Sequence, residues 1–371
     1  MLRNLFMSLN MQQFKLNKSF PLQSKKKFMT SKTLRNVQDL IDSRLIDQTI
    51  RKPLQELEQF YATAISPEMV NLIHDFEKND PNPIGLQYIP HPDELKITPD
   101  EMHDPIGDEA LSPIKGIVHR YEDRVLLKPL QICPVYCRFC FRREHVGPDH
   151  GLLNDRELIA ALQWIEKHSK IREVILSGGD PFILSPRRMK LIIQKINNIP
   201  HVSTIRIHTR VPFSAPSLMN KIFIESLDTN KALWIVVHAN HPAEFTPYAF
   251  KAIRSLLSRG IPLLSQSVLL KNVNDNIETL ENLLRSFVEW RIKPYYLHQL
   301  DKAPGTNRFY VPINNGQELL RALRGRVTGI AWPTYVLDIP GGYGKVPLGP
   351  DYYDPEKPSS ILDPKNHNHK I

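Results

Sequence analysis

The stretch Cys133-Pro134-Val135-Tyr136-Cys137-Arg138-Phe139-Cys140 holds all three cysteines of the 371-residue chain, spaced C-x3-C-x2-C. A structural zinc ion is closed by four ligands and a redox pair uses two thiols at C-x-x-C, so three thiolates complete neither. A [4Fe–4S] cube is held by four cysteine thiolates, one per iron. Three thiolates leave one iron open, and an open iron is where a small molecule can be bound and reduced. Two other readings stay open here: a zinc site completed by His145, and three buried, inert thiols. Three clustered cysteines also rule out a disulfide framework and suit a reducing cytoplasm.

Composition narrows the classes further. The length allows one large domain with appendages. No run of eighteen apolar residues occurs in the sequence, so no transmembrane helix is expected. The net charge of +9 suggests a nucleic-acid partner until its location is examined. Residues 1–38 carry eight Lys/Arg and no acid, which leaves the remainder near +1. The tail reads as a disordered leader, an upstream start (Met7, Met11 and Met29 follow) or an organellar leader. The body is not basic, so nucleic acid is not expected as a partner.

Beyond the leader, apolar residues from Asp39 to about Asn79 recur at helical spacing, with Ser66-Pro67 as a helix start. Residues 80–113 are rich in proline and acid and read as an extended surface connector. From about 124, short apolar runs alternate with helical patterns. Strands are predicted at Val125–Leu130, Glu173–Ser177, Thr204–Thr209, Leu233–His238, Leu263–Leu270 and Tyr295–Gln299. Helices are predicted over 155–168, 185–198, 215–226, 247–259 and 276–290, the last opened by an Asp275/Glu278 capping box. Such alternation means a parallel sheet covered by helices, as an open doubly wound sheet or a barrel. In such folds chemistry collects at the carboxyl ends of the strands. Cys133, Ser177-Gly178-Gly179-Asp180, His208-Thr209-Arg210 and His238 follow or end successive strands, Gln266 lies within the fifth, and Asp301 follows the sixth.

A second informative stretch is Asp338-Ile339-Pro340-Gly341-Gly342-Tyr343-Gly344-Lys345. Its glycine spacing and Val346 exclude a Walker A loop. A glycine-rich turn can still present N–H groups to a phosphate, and a lysine beside it can form a Schiff base with a carbonyl cofactor. Taken alone, a solvated lysine on a loop is the plainer account.

The C-x3-C-x2-C stretch resembles the signature of the radical S-adenosylmethionine (SAM) enzymes. Together with His119-Arg120-Tyr121-Glu122-Asp123-Arg124-Val125-Leu126, the run Cys137–Arg143 and Asp338–Lys345, it resembles the lysine 2,3-aminomutase family from about residue 60 to about 350. The resemblance implies a partial (β/α)6 radical SAM barrel, with a helical N-terminal extension over 39–110, the barrel over 111–300, a C-terminal pyridoxal 5′-phosphate (PLP) and substrate segment over 301–350, and a tail over 351–371. It implies a [4Fe–4S] cluster on Cys133, Cys137 and Cys140, with SAM contacted by Ser177, Gly178, Gly179, Asp180, His238 and Gln266. PLP would be held by Lys345, with Arg120, Tyr121, Arg124, Gly341, Gly342 and Gly344 around it. Arg142 would pair the carboxylate of L-lysine, and Asp301 and Asp338 its ε-ammonium. A flavodoxin- or ferredoxin-type electron donor is implied, in the cytoplasm, and a homo-oligomer is compatible.

Two departures bear on the subfamily. The clostridial enzymes carry further zinc-binding cysteines near the C-terminus that this chain lacks; its tail offers Asn366-His367-Asn368-His369, which reads as a frayed polar end. Leu297-His298-Gln299-Leu300-Asp301-Lys302 resembles the branch acting on elongation factor P, which tends to lose the second acid. Asp338 and Pro340-Gly341-Gly342 point back to the free-lysine enzymes.

Overall fold

The structure, a computed structural model, describes residues 30–76, 81–148, 151–365 and 367–370. The basic leader up to residue 29 lies outside the described residues, whereas Leu34 and Val37, within the expected leader, are buried.

Nine strands form one sheet in chain order: β1 (Ile117–Tyr121), β2 (Arg124–Leu130), β3 (Glu173–Gly178), β4 (Thr204–Thr209), β5 (Ala232–His238), β6 (Leu263–Val268), β7 (Ile292–His298), β8 (Thr334–Ile339) and β9 (Gly344–Pro347). The pairings from β2 to β8 are all parallel, while β1 and β9 flank them antiparallel. The six expected strands are β2–β7, and β8 continues the parallel run. Side chains bridge the two edges. The Lys345 N–H donates to Tyr121 Oη at 2.9 Å, and Arg120 Nη1 donates to Asp338 Oδ1 at 3.1 Å. The result is a nearly closed, barrel-like sheet.

Alternation along the strands sorts side chains between two faces. Val125, Leu127, Val174, Leu176, Ile205, Ile207, Ile235 and Val237 face outward into one apolar core. That core is completed by residues such as Leu158, Ile192, Ile253 and Leu283 from the surrounding helices. Three of those helices, Asp155–Lys167, Pro186–Asn197 and Pro247–Leu257, match expectation and start on side-chain caps from Asn154, Ser185 and Thr246. Ser66 caps Pro67–Asp75 in the same way.

Three expectations are corrected. The helix at 215–226 shrinks to Lys221–Glu225, because Asn220 caps a new start after the turn at Pro216–Leu218. The helix Ile277–Glu289 is capped by Asn276, not Asp275; Asp275 instead accepts the Asn272 N–H. The connector is not a surface strap. Ile84, Gln87, Tyr88 and Glu94 are fully buried. Glu94 can be buried because Arg138 donates to it at 2.7 Å and Arg143 also pairs with it. A lone buried carboxylate would be costly, and two guanidinium groups supply the compensation. Burial alone would push the Glu94 carboxyl up, but those two charges bring it below its usual range.

The C-terminal residues form a short hairpin, Ser360–Leu362 with Asn368–Lys370, in which His367 and His369 both face Asp363. Among the described residues no three His, Cys, Asp or Glu side chains converge as ligands of a single ion. No helix among them is long and apolar enough to cross a membrane.

Candidate active site

The cysteine loop leaves β2 through Leu130-Gln131-Ile132 and is locked against the end of β3. Gly179 N–H donates to Leu130 O at 2.8 Å and Asp180 N–H to Ile132 O at 3.0 Å. A Cβ on Gly179 would lie 2.2 Å from Ile132 O, and one on Gly178, at φ +100°, 2.5 Å from Leu130 O. The two glycines are therefore required by the protein's own backbone as it approaches Cys133. Asp180 is equally committed. Its carboxylate accepts from Phe182 N, Thr209 Oγ1, Arg210 N and Val211 N, between 2.7 and 3.2 Å. It ties the β3 exit to the β4 exit, which is a positioning role.

All three thiols are free and half-buried. Arg210 Nη1 donates to Cys137 Sγ at 2.9 Å, while Nη2 is held by Gln87 Oε1 at 2.6 Å and Glu244 Oε2 at 3.0 Å. Burial pushes the Cys133 and Cys137 thiols up, and that of Cys140 up to about 11. Thiols in that state need a strong Lewis acid to become thiolates, and a buried guanidinium offsets the anion formed. Three thiols leave a tetrahedral zinc site one ligand short, so the donor set fits a cube with one open iron. His145, the candidate fourth zinc ligand, lies instead beside Glu109 at 3.6 Å. Arg138, inside the motif, is pinned by Glu94, and its N–H donates to Gln87 O at 2.9 Å. The N-terminal region thus clamps the loop from behind.

Beyond this loop, the inner face of the sheet is polar. His238 and Gln266 are register partners on β5 and β6, and the His238 ring packs 5.9 Å from Phe139 of the cysteine motif. Ser177, at the end of β3, is buried. Burial, more than any neighbouring charge, draws the imidazoles of His208 on β4 and His298 on β7 below their usual range.

At the sheet's far edge Lys345 stands on β9 as the register partner of Asp338 on β8. Lys345 is thus on a strand, not a free loop. Its Nζ donates to Asp338 Oδ1 at 2.6 Å. Burial would raise the Asp338 carboxyl, but the His298 ring 3.8 Å away and the Lys345 ammonium draw it far below its usual range. Asp301 has the opposite fate. Burial, then the Asp338 charge, push it up to about 7. Gly341 and Gly342, with φ of +86° and +88°, turn the β8–β9 hairpin, and Gly341 N–H donates to Pro105 O at 3.1 Å.

Tyr121 carries the Arg124 guanidinium over its ring at 3.8 Å, and Arg124 also pairs with Asp123 at 2.7 Å. Arg142 Nε donates to Asp108 Oδ2 at 2.7 Å, a partner that sequence reasoning missed. Arg120 Nε, His208 Nε2 and Asp108 Oδ1 are buried with no hydrogen-bond partner among the described residues. Buried polar atoms left over in this way point to a polar ligand that completes them. With a lysine, two arginines and a tyrosine gathered at one edge, the donor set fits an aldehyde-bearing phosphate such as PLP.

Comparison with known proteins agrees with this geometry. Residues 127–285 match the radical SAM superfamily, which defines the class of the barrel and its cysteine loop. Residues 320–361, which include Asp338 and Lys345, match the C-terminal model of lysine-2,3-aminomutase. The chain is 36% identical over 319 residues to L-lysine 2,3-aminomutase of Fusobacterium nucleatum, covering 83% of this chain and 75% of that one. It is 37% identical to that of Clostridium subterminale, covering 78% and 69%. It is also 31% identical to glutamate 2,3-aminomutase of Clostridioides difficile, covering 88% and 76%. The chain belongs to the lysine 2,3-aminomutase family.

Proposed function

We propose that the protein is an isomerase that moves the α-amino group of L-lysine to C3, giving β-lysine. The observation that carries the substrate is Asp301: it lies close enough to Asp338 for that charge to raise it and, unlike Asp338, which pairs with Lys345 and Arg120, it has no ion-pair partner of its own among the described residues. A side chain ending in an ammonium supplies that partner; the side-chain carboxylate of glutamate would add a third like charge.

When bound, the cluster with SAM supplies a hydrogen-abstracting radical, and PLP supplies the carbonyl that lets the amino nitrogen migrate. Cys133, Cys137 and Cys140 would hold the cluster, with Arg210 offsetting thiolate charge at Cys137. Ser177, Gly178, Gly179, His238 and Gln266 would border SAM, and Asp180 would fix the two strand exits beside it. Lys345 Nζ would hold PLP, with Arg120 and Tyr121 beside it and Arg124 stacked on Tyr121.

Asp338 now pairs with the Lys345 ammonium. With PLP bound, Lys345 Nζ would turn to the cofactor, leaving Asp338 free to take the ε-ammonium of lysine beside Arg120. Arg142, held through Nε by Asp108, would take the α-carboxylate, so that the substrate has a charge fixed at each end. Fixing both ends holds C2 and C3 in place and keeps water from the reacting atoms. A reducing cytoplasm and a low-potential flavodoxin- or ferredoxin-type donor complete this reading.

The test is anaerobic incubation of the iron-loaded protein with L-lysine, SAM, PLP and a strong reductant. β-Lysine should form and L-glutamate should remain unchanged. Turnover of glutamate but not lysine would replace the substrate. Failure to cleave SAM by protein containing about four irons would overturn the reading altogether.

A further inference from the structure

Asp108 sits on the segment that closes the gap between β1 and the β8–β9 hairpin. Its backbone is fixed by Asp104, whose Oδ1 accepts the Asp108 N–H at 2.8 Å. Its side chain is only 8% exposed and meets three cations. Arg142 Nε donates to Oδ2 at 2.7 Å, Lys128 Nζ lies 3.5 Å from the same oxygen, and Arg120 Nη2 lies 4.0 Å from Oδ1. All three cations are themselves at most 14% exposed. Asp108 Oδ1 makes no hydrogen bond within the described residues.

Two features of this cluster call for another anion. The first is charge. Asp108 is the one ion-pair partner of Arg142 and Lys128 among the described residues, with Asp301 and Asp104 acting on them from farther away, and Arg120 also serves Asp338. Buried positive excess is costly unless a ligand neutralises it. The second is the shape of the guanidinium. Asp108 engages Arg142 through Nε, so the edge formed by its two terminal nitrogens is not spent on Asp108. That edge suits a carboxylate through two parallel N–H···O bonds. Lys128 projects from the inner face of β2, the same face as Arg124 and Leu126, so its ammonium borders the same space.

We infer that Asp108 and Lys128 complete the seat for the substrate's α-carboxylate, Asp108 as the positioning residue that orients Arg142 through Nε and Lys128 as a second cation on the carboxylate. This rests on the lysine reading above. An opposing account makes Asp108 a competitor that occupies Arg142 and must be displaced; its removal would then tighten binding.

The experiment uses the enzyme loaded with iron and PLP, without reductant, so that binding is read apart from turnover. L-Lysine and L-lysinamide, which keeps both amines but lacks the carboxylate, are titrated against the visible absorbance of bound PLP. In Asp108→Asn and in Lys128→Met the apparent Kd for L-lysine should rise about tenfold or more, and that for L-lysinamide should stay within about twofold. Lys128→Arg should recover most of the lysine affinity. Equal losses for both ligands would mean that the residues only support the fold, and unchanged or tighter lysine binding would overturn the assignment. The two Lys128 variants carry the test by themselves should Asp108→Asn fail to fold. If the wild-type spectrum ignores L-lysine altogether, the proposed substrate fails and this inference with it. If it responds and the variants respond equally, only this inference fails.

Discussion

The two faces of the parallel sheet are built from the same strands but obey different rules. Outward, Val125, Leu127, Val174, Leu176, Ile205 and Ile207 pack against helices in a single apolar core. Inward, the alternate residues include Lys128, Arg206, His208, His238, Gln266, His298 and Asp338, Asp338 buried and the others partly buried, some with polar atoms left unpaired. Apolar burial stabilises the outer face at roughly 25 cal/mol per Å². The inner face gains little of this and pays desolvation for its charges. Stability resides outside and binding inside, so mutations should separate the two.

The largest expected effect is at Lys345. Lys345→Ala should abolish the visible absorbance of bound PLP and all mutase activity, while the iron–sulfur spectrum persists. Retained PLP absorbance would move the cofactor elsewhere in the barrel.

Next come the paired acids. Asp301→Asn and Asp338→Asn should each lower kcat/KM for L-lysine by about 2–5 kcal/mol in activation free energy, since each would leave a buried ammonium short of an anion. Steady-state rates within a few-fold of wild type would point to another substrate.

A third pair sets the faces directly against one another on neighbouring residues of β4. Ile207→Ala, outward, should cost about 2–5 kcal/mol in unfolding free energy and leave kcat/KM per folded molecule unchanged. His208→Leu, inward, removes a buried unpaired nitrogen and should leave stability within about 1 kcal/mol of wild type. If denaturant unfolding shows His208→Leu to be the more damaging change, the division of labour is wrong.

The smallest effect is on pH dependence. Asp301 ordinarily titrates at 3.8 and is raised to about 7 here, chiefly by burial. Between those values the folded, ligand-free protein keeps a proton that the unfolded chain has lost, so Asp301 lowers stability as pH rises through that window. On the proposed reading, lysine pairs with the ionised form and must expel that proton. Its apparent Kd should therefore rise by up to about tenfold per unit as pH falls below about 7, and Asp301→Asn should flatten that limb.

Product stereochemistry separates the two branches of the family that the sequence evokes. Chiral analysis of the β-lysine formed distinguishes the free-lysine enzyme from one that serves elongation factor P.

Much of the molecule was legible from local chemistry. The spacing of the three cysteines singled out their loop, and the strands β2–β7 betray themselves because apolar runs bounded by turns need no distant partner to be seen. The short strands were harder. β1 and β9 are short, at five and four residues, and β8 has the apolar run Tyr335-Val336-Leu337 but stands directly before a glycine-rich turn that reads as loop. The segment 80–113 misled for a similar reason. Proline and acid normally signal exposure, and Glu94 escapes that rule only because Arg138 and Arg143 meet it in the interior.

The sequence by itself determined which groups are present: a three-thiol loop, a lysine after a glycine turn, and acids beyond the strand ends. Only the tertiary structure decided that the edges of the sheet meet, bringing Tyr121 to Lys345 and Arg120 to Asp338 across more than two hundred residues of chain. It alone showed that Gly179 serves the backbone of Ile132, and that Asp108 holds Arg142. The reason is physical: spacing reports which side chains share a face, but the value of a buried charge depends on the partner that folding places beside it.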